Sequence, residues 1–355
     1  MTGGAWPYCV PLREDELLSS FLIRNAHAHG TTPYCFLSYH WPGRQIWNRD
    51  TDRTADKSWL DELAVLADVP ASRLEASTLQ PFRRVLGSTL SNGDTPLLLS
   101  VSVFHRTRRR HGLQFCPLCL SEGRHWFRRV WRLGFMLVCS EHRVALLDAC
   151  PTCGSPVVPH RALRLDLSCC HQCGAPLASG KCVTRLGADI LEWQQWLLGA
   201  LSGASTDTGP FEQTEICASV RSLLSLLTLR RTHSAIREVL HLPLVSLPAD
   251  RLQFEHARAH ERALLMETLA AWLADWPSMF RKGAGAAGLT QMSFRRLKQP
   301  SMLRAEVERL PLGSGRDRTY VPKVFDKELL RLARKDRKAC RALRARRLQA
   351  LAGLV

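Results

Sequence analysis

The stretch CSEHRVALLDACPTCG, residues 139–154, places two metal-ligand pairs back to back. Two residues separate Cys139 from His142, and two separate Cys150 from Cys153. A two-residue gap lets both side chains of a pair face one ion, and four such ligands complete the closed tetrahedral site typical of structural zinc. The stretch therefore predicts zinc binding, and it leaves open whether its two pairs share one ion.

Two more pairs flank this stretch. Cys116 and Cys119 are separated from the second pair by 19 residues, and Cys170 and Cys173 follow the third pair after 16 residues. Eight ligands in four pairs predict two structural Zn²⁺ ions. Cys169 stands directly before the fourth pair, so it is an alternative ligand to Cys170.

The four pairs can be grouped in three ways. A sequential grouping joins the first pair to the second and the third to the fourth. A nested grouping joins the two middle pairs, and an interleaved grouping joins the first pair to the third, as in the RING cross-brace. We favour the sequential grouping because the connector RVALLDA, residues 143–149, is longer than the corresponding RING connection and lets each site close separately.

The composition indicates a polyanionic partner. The chain has 355 residues and a formal net charge of +17, which favours nucleic acid. No segment is long and apolar enough for a membrane helix, and MTGGAWPYCV, residues 1–10, lacks the features of a signal peptide. We therefore expect a cytoplasmic protein without a membrane partner, whose thirteen cysteines are reduced.

Helical periodicity on both sides of the metal pairs predicts a mostly α-helical fold, with helix-turn-helix-like modules around a central pair of zinc-binding motifs. We expect an N-terminal helical domain over 1–104, a tandem zinc-binding domain over 105–185 and a basic helical domain over 186–355. SWLDELAVLADVPASRLEA, residues 58–76, predicts one helix-turn-helix, with Ser72 and Arg73 as candidate groove contacts. GAGAAGLTQMSFRRLKQ, residues 283–299, predicts a second.

Basic residues that could contact nucleic acid fall in three places. One is the run HRTRRRHG, residues 105–112; another is the second helix-turn-helix; the third is the C-terminal tail. Residues 281–355 hold 20 Lys and Arg against 6 Asp and Glu, and this excess suits a phosphate backbone. The candidates are Arg106, Arg108, Arg109, Arg110, Arg295, Arg296, Lys298, Arg337, Lys338, Arg341, Arg344, Arg346 and Arg347.

The segment SEGRHWFRRVWRLGFMLV, residues 121–138, interleaves aromatic residues with arginines. Such a segment can clamp nucleic acid, but we favour aromatics that form a small core beneath covering arginines. The chain has no phosphate-binding loop, no metalloprotease motif and no nucleophile elbow. Closed four-ligand zinc sites also leave no position for a reactive water. These features favour a binding and scaffolding protein over an enzyme.

The motifs CPLCL and FRRVWRLGFMLVCSEHRVALLDACPTCG, with the N-terminal LREDELLSSFLIRNAHAHG, resemble the TniQ family, which includes the TnsD-type proteins of transposons. The resemblance implies two zinc sets, one of Cys116, Cys119, Cys139 and His142 and one of Cys150, Cys153, Cys170 and Cys173. It also implies a selector of transposition target sites that is not the recombinase.

Members of this family bind target DNA directly or dock on an RNA-guided Cascade complex with its guide RNA, as in CRISPR-associated transposons. They then recruit an AAA+ ATPase, which brings in the transposase. Two alternatives stay open at this point: a RING-type ubiquitin ligase and a zinc-containing DNA-binding repressor. A homodimer is an open alternative to a monomer.

Overall fold

A computed structural model describes residues 5–87, 94–101, 110–162, 164–178, 183–203, 215–245, 253–295, 301–313 and 336–352, with residues 103–104, 107–108, 247, 297 and 299. The chain divides into two compact units, Met1–Pro311 and Leu312–Val355. The described residues are mostly helical, which confirms the predicted fold class. The three-domain division stays a prediction.

The helices of the first unit precede and follow the metal-ligand pairs. Before the pairs lie α1 (Leu18–Ala28), α2 (Pro33–His40), α3 (Thr51–Thr54), α4 (Lys57–Ala67), α5 (Ala71–Ala76) and α6 (Gln80–Leu86). Next come the antiparallel strands β1 (Val103–Phe104) and β2 (Thr107–Arg108), followed by α7 (Pro117–Ser121). After the pairs lie α8 (Ala188–Ser202), α9 (Ile216–Leu227), α10 (Arg230–Val239), α11 (Ala259–Leu273), α12 (Ser278–Ala286), α13 (Gln291–Phe294) and α14 (Ser301–Glu308). The second unit contains α15 (Arg337–Ala352).

Helices α4 and α5 are joined by a short turn within residues 58–76, where the sequence predicts a helix-turn-helix, and that assignment stays a prediction. The Asp56 carboxylate accepts a hydrogen bond from the Trp59 amide at 2.9 Å and caps the start of α4. Asp68 ends α4 in the left-handed conformation, and Pro70 then precedes α5. Ser72 is exposed, but the Arg73 guanidinium donates to the Leu12 carbonyl at 3.3 Å.

Helix α11 is the centre of the C-terminal helices, where it packs against α8, α9, α10 and α12. Leu265, Leu269 and Trp272 on α11 are fully buried. Gly283 lets α12 approach closely, because a Cβ atom there would lie 2.5 Å from Nε1 of Trp272. A residue of the metal-binding segment stabilises the start of α11: the buried Asp148 carboxylate accepts a hydrogen bond from the Ala259 amide at 2.7 Å.

The segment over residues 110–178 has little regular structure and is held by contacts from both helical groups. Gln194 of α8 donates to the Val138 carbonyl at 2.8 Å and accepts from the Val138 amide at 2.9 Å. On the other side, the buried Arg132 guanidinium pairs with Asp50 at 2.6 Å. One hydrophobic core therefore runs through all three parts of the first unit. Within the part of the chain that the structure describes, no helix is long and apolar enough to cross a membrane.

Candidate metal centres

The first cluster consists of Cys116, Cys119, Cys139 and His142, whose ligand atoms all lie within 4.8 Å of one another. The His142 Nδ1 atom lies 3.4–3.5 Å from each of the three Sγ atoms. The Sγ atoms of Cys119 and Cys139 are 3.8 Å apart. A tetrahedron with Zn–S bonds of ~2.3 Å has edges of about 3.8 Å, so this cluster can hold a zinc-sized ion.

Two short local structures present these ligands. Cys116 stands at the N-cap of α7, where its Sγ accepts from the Cys119 amide, and this brings both thiols of the pair to one side. In the second pair, the Arg143 amide donates to the Cys139 carbonyl at 2.8 Å and closes a turn around His142. A helix N-cap in one segment and a tight turn in another thus bring the four ligands of the first cluster together.

The second cluster consists of Cys150, Cys153, Cys170 and Cys173, again with all ligand atoms within 4.8 Å of one another. The Sγ atoms of Cys150 and Cys173 are 3.7 Å apart, as are those of Cys153 and Cys170. Each pair closes through a glycine with positive φ, and that glycine's amide donates to the first cysteine's carbonyl: Gly154 to Cys150 at 2.9 Å and Gly174 to Cys170 at 3.0 Å. The pairs in residues 139–154 thus belong to different clusters, and the grouping is sequential.

Cys169 lies outside the second cluster. Its thiol is buried and donates to the Asp166 carboxylate at 3.3 Å, whereas the Cys170 thiol faces Cys153. Successive side chains of an extended segment point to opposite sides, so only one of two adjacent cysteines can reach the cluster. The two-residue gap that favours Cys170 in the sequence is the gap that the structure uses.

The electrostatics of the first cluster favour a cation. Hydrogen bonds from the Cys116 and Cys119 thiols lower the pKa of the Cys139 thiol. Hydrogen bonds with the Cys116 and Cys139 thiols, together with burial, raise the pKa of the Cys119 thiol. Without an ion, the cluster therefore favours one thiolate held by neighbouring thiols, because several thiolates this close repel one another. A divalent cation removes this repulsion, and three thiolates with a neutral imidazole are a donor set that zinc prefers.

A carboxylate outside the ligand set orients His142. The Nε2 atom of His142 lies 2.8 Å from Oε1 of Glu122, which leaves Nδ1 to face the three thiols. Such a carboxylate fixes the ring and increases its basicity as a metal ligand. Arg124 contacts both Glu122 and Glu141, so Glu122 is itself held in place. The sequence analysis missed Glu122, which lies three residues beyond Cys119 in an exposed turn.

Glu122→Ala is expected to weaken zinc binding at the first cluster by ~10–100-fold, because His142 loses its orienting partner. Glu122→Gln should recover part of the loss, since an amide oxygen can still accept from Nε2. The measurement is zinc transfer to a chromophoric chelator at several concentrations. Glu141→Gln is the matched control, because Glu141 contacts Arg124 and Arg128 but no metal ligand. Equal zinc affinities in all variants would contradict the role of Glu122.

In segment 121–138 the aromatic side chains are packed and the arginines are paired with carboxylates. This confirms the interpretation that the aromatics form a small core beneath covering arginines. Phe127, Trp131 and Phe135 are buried. Of the arginines, Arg128 pairs with Glu141 and Arg132 pairs with Asp50 and Asp52. This segment therefore offers a partner few free cations.

The structure places the predicted nucleic-acid contacts unequally. Arg110 contacts Asp94 at 3.3 Å and also His256, so it is engaged within the protein. The exposed candidates are Arg295, Lys338, Arg341, Arg344 and Arg346. The candidates Arg106, Arg109, Arg296 and Lys298 lie outside the described residues, as do the side chains of Arg108, Arg337 and Arg347.

Comparison with known proteins agrees with the motifs. A model of the TniQ family matches residues 7–146, a range that includes the helices α1–α7 and all four residues of the first cluster. The second cluster begins four residues beyond this range, at Cys150. A search of curated proteins found no match. Residues 7–146 are therefore similar to the TniQ family, in agreement with the resemblance that the sequence motifs carry.

Proposed function

We propose that this chain is a target-site selector for transposition. It acts as an adaptor in the bacterial cytoplasm and not as an enzyme: it binds target DNA and recruits an AAA+ ATPase, which brings in the transposase. The TniQ domain over residues 7–146 carries this proposal, because that domain is associated with the selection of transposition targets. The high positive charge of the chain supports a nucleic-acid partner.

In this function the two clusters hold two structural Zn²⁺ ions. Cys116, Cys119 and Cys139 are buried in the core that joins the N-terminal helices to α8 and α11. Metal binding there would supply free energy for folding and keep the helical groups in a fixed relation. A cross-brace of the RING type would pair Cys116 and Cys119 with the third pair, so a RING-type ligase does not fit the sequential grouping.

Helix α15 supports direct contact with DNA. The Asp336 carboxylate accepts from the Lys338 and Ala339 amides at 2.8 and 3.1 Å and caps the helix start. Lys338, Arg341 and Arg344 are exposed and follow one another at three-residue intervals, so they lie along one side of the helix. Such a row of cations can follow a phosphate backbone.

Deletion of residues 325–355 is expected to flatten the salt dependence of binding to duplex DNA. Each lost phosphate contact reduces the slope of log K against log[salt] by ~0.9. The full-length triple variant Lys338→Ala, Arg341→Ala, Arg344→Ala should therefore lose about 3 units of slope at unchanged helicity. Binding is measured by fluorescence anisotropy between low and physiological salt.

The same assay separates direct recognition from delivery by another complex. A full-length chain that fails to bind duplex DNA even at low salt would contradict direct contact, and docking on a Cascade complex would then be the route to the target. Co-purification with the AAA+ ATPase from the same locus distinguishes the selector from a zinc-containing repressor, which needs no such partner.

A further inference from the structure

We propose that the N-terminal helices carry a binding site for an acidic peptide segment of a protein partner. The site consists of two adjoining cavities on either side of residues 44–48. The arginine cavity, lined by Arg49, takes a carboxylate of the segment, and the tyrosine cavity, lined by Tyr34, takes an apolar side chain. The inference goes beyond the proposed function, because it adds a peptide ligand to an adaptor that binds DNA.

The two cavities share the segment between α2 and α3. The arginine cavity has a volume of ≈ 320 Å³ and lies between this segment, α3 and the start of α4. The tyrosine cavity has a volume of ≈ 190 Å³ and lies between the same segment and α2. Both cavities are lined by Arg44, Gln45, Ile46 and Asn48. A ligand that crosses this segment therefore reaches both cavities.

The charges at the arginine cavity suit one carboxylate. Arg49 is exposed and forms no ion pair with any residue that the structure describes. Arg44 pairs with Asp56, so these two charges offset each other. The cavity also lies at the start of α4, where the helix dipole favours an anion. One guanidinium is therefore left for one negatively charged group.

A donor in the wall of the arginine cavity lacks an acceptor. Trp59 is 2% exposed, and its indole Nε1 atom is buried without a hydrogen-bond partner in the part of the chain that the structure describes. The Arg44 guanidinium lies over the same ring, 5.2 Å from its centroid. A buried N–H group without an acceptor costs free energy. A ligand oxygen that enters the cavity beside Trp59 supplies such an acceptor.

Two amide side chains on the shared segment match a peptide backbone. The Asn48 amide nitrogen donates to the Gln45 amide oxygen. This contact leaves a donor on Gln45 and an acceptor on Asn48 for a ligand. A peptide group carries one N–H and one C=O, so it can pair with both. The phosphate backbone of nucleic acid offers only acceptors, which favours a peptide at this segment.

The tyrosine cavity combines apolar walls with an exposed aromatic side chain. Leu37, Ile46 and Trp47 line it and are buried, whereas Tyr34 is 69% exposed. Tyrosine and arginine are enriched among the residues that dominate binding at protein interfaces. An extended peptide directs side chains two positions apart to the same side, so an apolar and an acidic side chain can enter the two cavities together.

A strand of nucleic acid fits the charge pattern of this site less well. Its backbone carries a negative charge at every phosphate, and its affinity comes from contact with many cations. Of the two arginines that line the arginine cavity, Arg44 is already paired with Asp56. A strand would thus gain one free cation, Arg49, and approach one carboxylate. A peptide with a single carboxylate matches this pattern.

The test is selection of random linear peptides, displayed on phage, by the full-length, zinc-loaded chain. We expect enrichment of peptides that hold one acidic residue close to an apolar residue. An enriched peptide is then synthesised, and its affinity is measured by fluorescence anisotropy. Replacement of its acidic residue by the corresponding amide should weaken binding by ~10–100-fold, because a hydrogen bond to a charged group is lost.

Variants of the chain locate the bound peptide. Arg49→Ala should also weaken binding by ~10–100-fold, and Arg49→Glu should prefer a peptide with lysine in place of the acidic residue. Tyr34→Ala should relax the preference for the apolar residue and keep that for the acidic one. Arg185→Ala is the matched control, since Arg185 is exposed and lines neither cavity. It should leave the affinity unchanged, and all variants should unfold at the same temperature.

Failure to enrich any acidic peptide would overturn this inference, as would equal affinities of the wild type and Arg49→Ala for the enriched peptide. Displacement of the peptide by single-stranded DNA would identify a nucleic-acid site instead and would overturn it as well. These results leave the proposed function standing, because DNA binding through α15 is measured in its own assay.

Discussion

Replacement of Cys119 by serine is expected to unfold the first unit, whereas replacement of Cys173 should disturb only the surroundings of the second cluster. Both variants should lose one equivalent of zinc by elemental analysis, from two per chain. Binding of a structural zinc contributes ~10–16 kcal/mol in small metal-dependent domains, as much as the whole stability of an ordinary domain. The two replacements are expected to differ in their effect on folding because the two clusters differ in burial.

The first cluster lies in the core. Cys116, Cys119 and Cys139 are each no more than 1% exposed, and they pack with residues of both helical groups. In the second cluster, Cys153 and Cys173 are exposed. Hydrogen exchange should therefore show loss of protection across α1 and α11 in Cys119→Ser but only near residues 150–178 in Cys173→Ser. Two variants with the same melting temperature and the same local exchange would contradict this difference.

Replacement of Arg132 by alanine is expected to cost about 3–5 kcal/mol of folding free energy. Arg132 is 1% exposed and pairs with Asp50 at 2.6 Å and with Asp52 at 3.3 Å. It also donates to the Leu99 carbonyl at 2.8 Å. Its removal takes away a counter-ion of the fully buried Asp52 carboxylate, which costs more than the ion pair itself contributes.

The folding free energy lost in Arg132→Ala should depend on pH. Burial, together with the neighbouring Asp50, raises the pKa of the Asp52 carboxyl, and Arg132 opposes this shift. Because the native state of the variant binds the proton more tightly than the unfolded chain does, the cost of ionising Asp52 is absent at low pH and grows as pH rises. The destabilisation, measured by urea unfolding, should thus be smaller at pH 5 than at pH 8.

A compensated variant serves as the control for this prediction. Arg132→Leu combined with Asp52→Asn removes one buried charge of each sign and keeps an amide oxygen for the Ser19 amide, which donates to Asp52 at 2.8 Å. Its stability should exceed that of Arg132→Leu alone, since one unpaired buried carboxylate is gone. If the double variant were the less stable of the two, the ion pair would not be the source of the effect.

The sequence by itself determined the local features of this protein. The two-residue gaps define four ligand pairs, because the geometry of a short turn depends only on the residues within it. Helical periodicity and turn residues likewise predicted the helices around residues 58–76 and 283–299, and the family motifs predicted the similarity to the TniQ family that residues 7–146 show. These signals are all contained in short stretches of chain.

Only the tertiary structure decided which ligand pairs come together in one cluster and which basic side chains are exposed. Closure entropy distinguishes loops of such lengths by only tenths of a kcal/mol, so packing must choose the grouping. Arg132 and Asp50 are 82 positions apart, and the Arg110–His256 contact spans 146 positions. Whether an arginine is buried against a carboxylate or left exposed for DNA depends on such distant neighbours, and the sequence records its charge but not its surroundings.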